Sequence, residues 1–509
     1  MNLHNRQLYK KVFKDKQIET PMKIYYLIPK YVDNFGKSAR WQTVSRGYTL
    51  RHPDLQLISV AVLEKAGHEV EFCDATAERI DKKNVFKRID MFKPDMLVIY
   101  CTTPSIYDDM SYAKEFKKRY PDKITVATGA HVTAEPQDTF KIAEKRYLDA
   151  VCIGEYDYSL RDIANKIKFS KCAGIAWMKK GRIVINKPRP LLDVRELPFP
   201  AWHHIKPELY PDPGKLHPFI TIIGCRGCWG FCTFCLMSNV MYKHNQRCRT
   251  PRQICDEIEH DLKLFPYLKE IMFEDDTFGF ASDHAMQLCN EIIQRGLNKK
   301  ISFACNLRTD IRRDLIPKLK EAGFRWACVG FEFGTDKSLK SIGKGATVAQ
   351  AREFAYLAKK NGLLIHGCFM FGAPGETVDD CRATIEFAKS LPLDTVQFSG
   401  IAVYPGTPLY RFVKEKGYLV PKNWRDWVTK DYKQASLLNY PQLSMQQTNK
   451  FIDIGLKEWY GRPRQVIRLG LKALVNRGEM KRIWHGFKSW IKLYTHKSNV
   501  YIVGQNENC

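Results

Sequence analysis

The sequence predicts an α/β fold with two sheet-containing domains and a helical C-terminal region. Short apolar strands alternate with helical patterns over residues 21–186 and again over residues 218–410, and this alternation is typical of parallel βαβ units. Prolines crowd residues 187–217, where they disfavour both helix and central strand, so we interpret this segment as a linker. We expect residues 1–20 to be a basic lead-in and residues 411–509 to be a helical, basic C-terminal region.

The first domain is predicted to be Rossmann-like and doubly wound. Its expected strands are Lys23–Ile28, 67–73, 96–101, 124–127 and 150–153, and its expected helices are 55–65, 107–119 and 159–168. Residues 174–186 are predicted to form a hairpin that turns at Lys180 and Gly181. No G-x-G-x-x-G follows the first strand, so we do not expect a dinucleotide.

The second domain is predicted to be a partial (β/α)6 barrel. Its expected strands are 219–223, 270–274, 301–305, 327–331, Leu364–Phe371 and 395–403, and its expected helices are Pro251–Leu264, 283–295, 312–322, 349–360 and 378–391. In such barrels the chemistry gathers at the carboxyl ends of the strands. Polar residues occur at those ends, among them Glu274, Asp275, Arg308 and Glu332.

Four cysteines fall within eleven residues just after the first barrel strand: Cys225, Cys228, Cys232 and Cys235. The last three have the spacing C-x3-C-x2-C, and thiolates select iron–sulfur clusters, zinc or copper(I). Three ligands leave one metal position open, as reactive sites do. A zinc site of all four cysteines is the alternative. We favour Cys225 as a small apolar residue at a strand end.

This spacing resembles that of the radical S-adenosylmethionine (SAM) superfamily. Further pieces resemble the branch that contains anaerobic magnesium-protoporphyrin monomethyl ester cyclase and hopanoid-modifying enzymes. They are Arg226-Gly-Cys228, Glu274-Asp-Asp-Thr-Phe278, Gly372-Ala-Pro-Gly-Glu-Thr377 and Tyr404-Pro-Gly-Thr407. Trp229 and Phe333 depart from the proline and serine that are usual in that branch.

The resemblance implies that Cys228, Cys232 and Cys235 hold a [4Fe–4S] cluster whose fourth iron binds the amino and carboxylate groups of SAM. Reductive cleavage of SAM would release a 5′-deoxyadenosyl radical that removes hydrogen from an unactivated carbon. The candidate SAM ligands are Glu274 and Asp275 for the amino group, Glu332 for the ribose hydroxyls or the amine, and Arg308 or Arg249 for the carboxylate. For Asp276 and Thr277, capping of the next helix is the alternative.

The first domain resembles the cobalamin-binding domain that precedes many radical SAM enzymes. The matching pieces are Arg51-His-Pro-Asp54, Leu63-Glu-Lys-Ala-Gly-His-Glu-Val70, Gly129-Ala-His-Val-Thr133 and Ile153-Gly-Glu155. Ligands of such sheets bind at the carboxyl ends of the strands, where the candidates are Thr102, Ser105, Gly129, His131, Gly154 and Glu155. No D-x-H-x-x-G segment supplies a histidine to cobalt, and Tyr156 and Asp157 depart from the family's usual Gly-Glu. A loop histidine without a ligand role is the alternative for His131.

The formal net charge of +26 permits nucleic acid, an anionic membrane or an acidic substrate as partner. Sixteen cysteines, scattered through apolar runs outside the cluster segment, and the lack of a signal peptide favour a reduced, cytoplasmic protein. Residues 462–497 are basic, and their apolar spacing predicts amphipathic helix. The apolar residues expected to share a helical face are Ile467, Leu471, Leu474 and Val475 in the first part and Trp484, Phe487, Ile491 and Tyr494 in the second. Such helices can lie on membrane surfaces, but we favour packing on the barrel with a solvated basic face.

Several functions stay open at this point. Methylation of an unactivated carbon with cobalamin is expected first, and oxidative cyclisation or ring rearrangement of a lipid or tetrapyrrole second. A tRNA methylthiotransferase is a third reading, since Cys73, Cys101 and Cys152 match the extra cysteines of those enzymes, although they read as core residues here. A non-catalytic zinc protein that binds nucleic acid is the fourth. We expect a small-molecule or lipid substrate and an electron donor such as flavodoxin or ferredoxin.

Overall fold

The structure, a computed structural model, describes residues 21–38, 40–45, 49–463, 465 and 467. These fall into two compact units, one containing the described residues of 1–42, 50–210 and 240–242, the other those of 43–49, 211–239 and 243 onward. The predicted lead-in and nearly all of the basic stretch 462–497 lie outside the described residues. The finer domain boundaries stay predictions.

The strands and helices of the described residues are numbered in chain order. The strands are β1 (Lys23–Ile28), β2 (Phe35–Lys37), β3 (Gln42–Val44), β4 (Glu69–Asp74), β5 (Met96–Tyr100), β6 (Ile124–Thr128), β7 (Ala150–Cys152), β8 (Ile175–Lys179), β9 (Arg182–Ile185), β10 (Phe219–Ile222), β11 (Cys225–Arg226), β12 (Arg247–Cys248), β13 (Glu270–Phe273), β14 (Ser302–Arg308), β15 (Phe324–Glu332), β16 (Leu364–Phe371) and β17 (Thr395–Gly400). The helices are α1 (Asp54–Lys65), α2 (Lys82–Phe92), α3 (Ile106–Arg119), α4 (Ala130–Ala134), α5 (Pro136–Ile142), α6 (Asp157–Ala164), α7 (Pro251–Leu264), α8 (Ser282–Gln294), α9 (Leu315–Glu321), α10 (Asp336–Ser341), α11 (Val348–Lys360), α12 (Val378–Ser390), α13 (Pro408–Glu415) and α14 (Met445–Tyr460). Single 3-10 turns lie at Phe169–Lys171, Val194–Glu196, Trp202–His204, Pro207–Leu209, Leu297–Lys299 and Trp424–Trp427, and a π-helix at Met237–Met241.

The first unit is built on a seven-stranded sheet in the order β4-β1-β5-β6-β7-β8-β9. Its first five strands are parallel, and β8 and β9 continue the sheet as an antiparallel hairpin. The parallel strands are covered on both faces, so β5 is buried along its whole length. The hairpin turns where predicted, because Lys180 and Gly181 both take positive φ, 47° and 78°, as a two-residue primed turn requires.

The second unit contains a six-stranded parallel sheet in the order β10-β13-β14-β15-β16-β17. The predicted strand count and order are confirmed. Helix α7 begins where expected because Thr250 and Gln253 form a capping box around Pro251 at the first helical position. Strand β15 is longer than predicted, because Phe324 and Glu332 extend it at its two ends.

Alternating residues of β15 serve two different surfaces. Phe331 lies 6.4 Å from the ring of Phe354 in α11, so its face of the sheet packs on the helices. Trp326 is on the other face, where side chains of four strands meet: Phe219, Met272, Ala304 and Trp326. We call this second face the inner face of the barrel sheet.

The aromatic C-terminal region packs on the second unit as far as it is described. The indole N–H of Trp427 donates to the Val403 carbonyl at 2.6 Å, and that of Trp459 donates to the Ala388 carbonyl at 3.2 Å. The basic amphipathic pattern that follows falls almost wholly on residues outside the described ranges. No helix of the described residues is both long enough and apolar enough to cross a membrane.

Candidate active site

The three predicted cluster cysteines lie in the loop that follows β10. Cys228 and Cys232 are buried and Cys235 is half-buried. The loop is tied down at Thr233, whose N–H donates to the Ile342 carbonyl at 2.8 Å and whose carbonyl accepts the N–H of Leu409 at 3.1 Å. These bonds fix the loop between the end of α10 and the start of α13.

Each of the three sulfurs has at least one hydrogen-bonding neighbour. The neighbours are the Gly230 N–H at 3.3 Å and the Thr277 hydroxyl at 3.4 Å from Cys228, the Arg308 guanidinium at 3.6 Å from Cys232, and the Ser238 hydroxyl at 3.4 Å from Cys235. The Gly230 N–H, the Ser238 hydroxyl and the Arg308 guanidinium are donors, which stabilise negative charge on cluster thiolates and thereby tune the reduction potential. The Thr277 hydroxyl donates to the Asp276 carbonyl at 2.7 Å. The residues present therefore fit an iron–sulfur cluster.

The spacing of these sulfurs does not suit a single metal ion. Among the described residues, the groups of cysteine, histidine and carboxylate atoms that lie within 4.8 Å of one another include none of Cys228, Cys232 and Cys235. A zinc ion needs its ligands that close, whereas the iron corners of a cube hold their thiolates farther apart. In the described residues these cysteines therefore do not form the compact group that the four-cysteine zinc alternative requires.

Cys225 departs from the prediction of a free apolar residue. It is joined by a disulfide to Cys248, in a two-residue antiparallel ladder of β11 with β12. Its backbone N–H and that of Gly224 both donate to one oxygen of Asp275, at 3.1 Å and 2.7 Å. This pairing could not be predicted, because Cys248 lies 23 residues away in a polar segment.

The acidic edge after β13 organises the cluster loop. Asp275 holds the loop's start, and Asp276 accepts the Gly227 N–H at 2.7 Å. Asp276 therefore binds the cluster loop and does not cap the following helix, which was the alternative expected for it. Thr277 contacts Cys228 instead, a neighbour that sequence reasoning missed. The backbone N–H of Glu274 donates to the Ile222 carbonyl at 2.9 Å, and SAM-amino roles for Glu274 and Asp275 stay predictions.

Arg308 lies against the cluster loop at the end of β14. Asp310 grips its guanidinium with two hydrogen bonds of 2.8 Å and 2.6 Å, and the Lys344 carbonyl accepts a third. Burial alone would lower the pKa of Arg308, but Asp310 and the thiols of Cys232 and Cys228 raise it. Burial has the opposite effect on the Cys232 thiol, whose pKa it raises, while the positive charges of Lys344 and Arg308 lower that pKa. Arg308 would thus present a fixed positive charge to a cluster held by these cysteines.

Glu332 ends β15 and forms a buried ion pair with Lys344 at 2.7 Å. It takes a positive φ of 67° at a break in the β15–β16 register. Its carboxylate folds back over Gly330, where an added Cβ would meet Glu332 Oε1 at 2.3 Å. Only glycine leaves space for the pair. Lys344 was not predicted, because nothing in its sequence neighbourhood marks it.

Arg249 is held by the helix that follows it. Its guanidinium forms an ion pair with buried Glu257 of α7 and lies 3.3 Å from the Gln253 carbonyl. Burial raises the pKa of Glu257, while Arg249 lowers it. The predicted contact of Arg249 with the SAM carboxylate stays a prediction.

In the first unit, Thr102 and Ser105 belong to a buried polar network after β5. Their hydroxyls lie 2.7 Å apart, and Ser105 donates to Asp109 at 2.7 Å. Asp109 also forms an ion pair with Lys37, and both are buried. Burial raises the pKa of Asp109 to about 6, against the opposing effect of Lys37. This network fixes the turn at the end of β5.

His131 is buried beside Thr103, whose hydroxyl is 3.2 Å from its Nδ1. Burial lowers its pKa to about 3, so the imidazole is neutral. Glu155 is also turned inward, because it accepts the Leu192 N–H at 2.9 Å. The predicted cobalamin contacts of His131 and Glu155 stay predictions.

Two glycines with positive φ lie at the carboxyl edge of this sheet. At Gly129, which has φ 120°, an added Cβ would meet the Cys101 carbonyl at 2.5 Å. At Gly154, with φ 74°, an added Cβ would meet nothing within 4 Å, so open space lies beside it. Gly129 therefore lets two strand ends pack closely, and Gly154 leaves room for a ligand at the edge where sheets of this kind bind their cofactors.

Comparison with known families and proteins agrees with this geometry. The model of the radical SAM superfamily matches residues 222–388, and that of the B12 binding domain matches residues 45–164. An uncharacterized methyltransferase of Pyrococcus horikoshii is 30% identical over 423 residues, which are 82% of this chain and 89% of the relative. The chain belongs to the radical SAM superfamily.

Two further similarities bear on this radical SAM enzyme. Anaerobic magnesium-protoporphyrin IX monomethyl ester cyclase of Rubrivivax gelatinosus is 25% identical over 364 residues, 68% of this chain and 63% of the cyclase. The structure of the cobalamin-dependent radical SAM enzyme OxsB with aqua-cobalamin bound is also similar, with a TM-score of 0.70 and 17% sequence identity. The match covers 96% of this chain and 73% of the OxsB chain. The last similarity shows the fold.

The enzyme therefore falls in the cobalamin-dependent radical SAM methyltransferase family, with a [4Fe–4S] cluster, SAM and cobalamin as its cofactors. Radical SAM enzymes typically act on small molecules and need a reductant. The cysteines of the methylthiotransferase alternative, Cys73, Cys101 and Cys152, are buried core thiols. Burial raises the pKa of each thiol. Among the described residues, none of the three belongs to a group of potential metal ligands close enough together to bind one ion.

Proposed function

We propose that this enzyme methylates an unactivated carbon of a small-molecule or lipid substrate. When bound, the cluster and SAM supply the radical that removes hydrogen, and cobalamin supplies the methyl group. The single observation that favours methylation is the similarity to the Pyrococcus horikoshii methyltransferase, which extends over 82% of this chain. The electron donor is proposed to be a flavodoxin or a ferredoxin.

The chain's own residues have separate tasks in this proposal. Asp275 and Asp276 hold the loop that presents the cysteines, through backbone N–H groups of that loop. Arg308 stabilises the anionic cluster through Cys232 and binds the SAM carboxylate. Glu332 is proposed to bind the SAM ribose or amine while Lys344 neutralises it. In the first unit, Gly129, Gly154 and the buried turn of Thr102 and Ser105 are proposed to form the cobalamin surface.

The test uses anaerobic protein with its cluster reconstituted, SAM, cobalamin and a strong reductant. Candidate substrates are a hopanoid lipid and magnesium-protoporphyrin monomethyl ester. Methylation predicts both 5′-deoxyadenosine and S-adenosylhomocysteine, together with a substrate that gains the methyl label of SAM. Cys232→Ala should abolish 5′-deoxyadenosine formation, whereas Cys289→Ala, a buried cysteine on α8, should leave it intact. Persistent SAM cleavage in Cys232→Ala would refute the proposal.

Oxidative cyclisation or ring rearrangement is the second candidate. The similarity to the Rubrivivax gelatinosus cyclase supports it, although the matched region is 63% of that protein. The same assay separates the two reactions. Substrate consumed with 5′-deoxyadenosine but without S-adenosylhomocysteine or label transfer identifies cyclisation.

A further inference from the structure

Two thiols and an imidazole meet on the inner face of the barrel sheet, outside the cluster loop. Cys328 lies on β15, and His366 and Cys368 lie on the neighbouring strand β16. One ligand atom from each of the three residues lies within 4.8 Å of the others. We propose that Cys328, His366 and Cys368 form a second metal site, which binds Zn²⁺ and leaves its fourth position open. This inference does not depend on the reaction proposed above.

The register of the sheet creates this group. Cys328 is directly opposite His366, and Cys368 is opposite Gly330, so all three side chains point to one face. The two sulfurs are 3.4 Å apart, too far for a bond and close to the contact distance of two thiolates on one ion. Tetrahedral zinc with ordinary Zn–S and Zn–N bonds places its ligand atoms about 3.5–3.8 Å apart. The three ligand atoms lie within 4.8 Å of one another, so a bound ion would draw them closer together.

The imidazole of His366 is oriented from two sides. Its Nδ1 lies 2.8 Å from the hydroxyl of Thr395 on β17, and its ring stacks on Trp326 at a centroid distance of 5.7 Å. When the Thr395 hydroxyl accepts the Nδ1 proton, the lone pair is on Nε2. Histidines that bind metals are commonly held in this way by a partner on the other ring nitrogen.

Exposure distinguishes these thiols from the others. Among the cysteines of the described residues that are not in a disulfide, only Cys235, Cys328 and Cys368 are not fully buried. Cys235 is a cluster ligand, whereas core cysteines elsewhere behave as small apolar side chains. Two partly exposed thiols beside a histidine are the donor set that Zn²⁺ prefers, and three protein ligands leave the position that water or a substrate donor fills.

Apolar side chains lie on one side of the proposed site. Cys328 packs at the edge of the inner-face cluster of Phe219, Met272 and Trp326. The Glu332–Lys344 pair lies farther along the same strand, at its carboxyl end. An ion at this point would offer its open position to a molecule inside the barrel. The ligand class expected there is a small anionic or soft donor, such as a thiolate or a carboxylate.

The experiment measures zinc in the intact, cluster-loaded enzyme. Anaerobic protein with its [4Fe–4S] cluster reconstituted is incubated with Zn²⁺ and desalted, and its iron and zinc contents are determined. Wild type should retain one zinc per chain beyond its full iron content, and zinc X-ray absorption should show two sulfur ligands and one imidazole. Cys328→Ser/Cys368→Ser should lose the zinc and keep the iron.

Matched variants separate this site from other thiols. Cys289→Ser/Cys381→Ser replaces two buried helix cysteines and should retain the zinc. Cys225→Ser/Cys248→Ser should also retain it, although His284 lies near that pair. The proposal is overturned if wild type binds no zinc while Cys328 and Cys368 are reduced. It is equally overturned if those two thiols are found joined as a disulfide, or if the Cys328→Ser/Cys368→Ser protein keeps its zinc.

Discussion

Arg308 donates toward the sulfur of Cys232 at 3.6 Å while Asp310 holds it from behind with two hydrogen bonds. A buried cation so close to a cluster thiolate stabilises the extra negative charge that reduction adds. This contact connects a barrel strand end to the electronic properties of the cluster. It leads to the first prediction.

Arg308→Gln should shift the cluster's midpoint potential to a more negative value. The neutral amide keeps much of the side chain's size but removes the charge next to Cys232. The measurement is a redox titration followed by electron paramagnetic resonance, with iron content checked. Arg312→Gln, whose partners Asp283 and Asp314 are on the surface, is the control and should leave the potential unchanged. An unshifted potential in fully loaded Arg308→Gln would contradict the prediction.

Glu332→Gln should destabilise the second unit strongly. Lys344 is buried with Glu332 as its ion-pair partner at 2.7 Å, and removal of one partner of a buried pair typically costs about 3–5 kcal/mol. Urea unfolding should show the loss, and Glu332→Gln/Lys344→Met should recover much of it. Asp283→Asn, which breaks an exposed pair with Arg312, should have a far smaller effect. Equal effects of the two single variants would exclude this role.

The stability of the first unit should depend on His131 at acidic pH. The folded-state pKa is about 3, below the ordinary 6.5, so in this window the unfolded chain binds a proton that the folded protein does not. Stability is therefore lost as the pH falls from 6.5 towards 3, by about 1.4 kcal/mol per pH unit.

His131→Gln should remove that part of the pH dependence. The free energy of unfolding of both proteins, measured in urea across this window, gives the difference in slope. Other shifted groups, such as Asp109, are common to both proteins and cancel. His217→Gln, at an exposed position, should keep the wild-type slope, and a wild-type slope in His131→Gln would show that the buried imidazole is not responsible.

The Cys225–Cys248 disulfide should stabilise the enzyme only under oxidising conditions. It closes a loop with a sequence separation of 23, for which the chain-entropy model gives about 3 kcal/mol. Cys248→Ser should lower the free energy of unfolding by that order without reductant and leave it unchanged with dithiothreitol. Cys289→Ser keeps the disulfide, so reduction should lower its free energy of unfolding by the same amount as in wild type. Identical behaviour of Cys248→Ser and wild type without reductant would mean that the bond does not form.

Much of the fold could be predicted, because local sequence patterns determine where many of its strands and helices begin and end. Strands Lys23–Ile28 and Leu364–Phe371 and helix Pro251–Leu264 have the predicted bounds, since each is delimited by strong apolar periodicity or by a capping box. Helix α2 was missed. Its polar sequence buries only three side chains, Val85, Phe86 and Ile89, so few apolar positions mark it as part of the core.

The candidate site was predictable only in part. The cysteines Cys228, Cys232 and Cys235 were identifiable from their spacing. The partners that fix their surroundings, Asp310 and Lys344, were not, because their roles come from contacts across strands rather than from sequence position. The acidic edge was found, but its binding to the loop's backbone N–H groups depends on a fold that composition and spacing do not specify.

The antiparallel hairpin of β8 and β9 has a consequence for how this protein behaves in a crowded solution. Without it, the fully buried strand β7 would end the sheet and offer unpaired N–H and carbonyl groups to any other extended chain. The hairpin moves the rim outward to β9, which is four residues long and begins with Arg182. Short rims resist strand addition, so the hairpin limits the edge that another chain could extend to four residues.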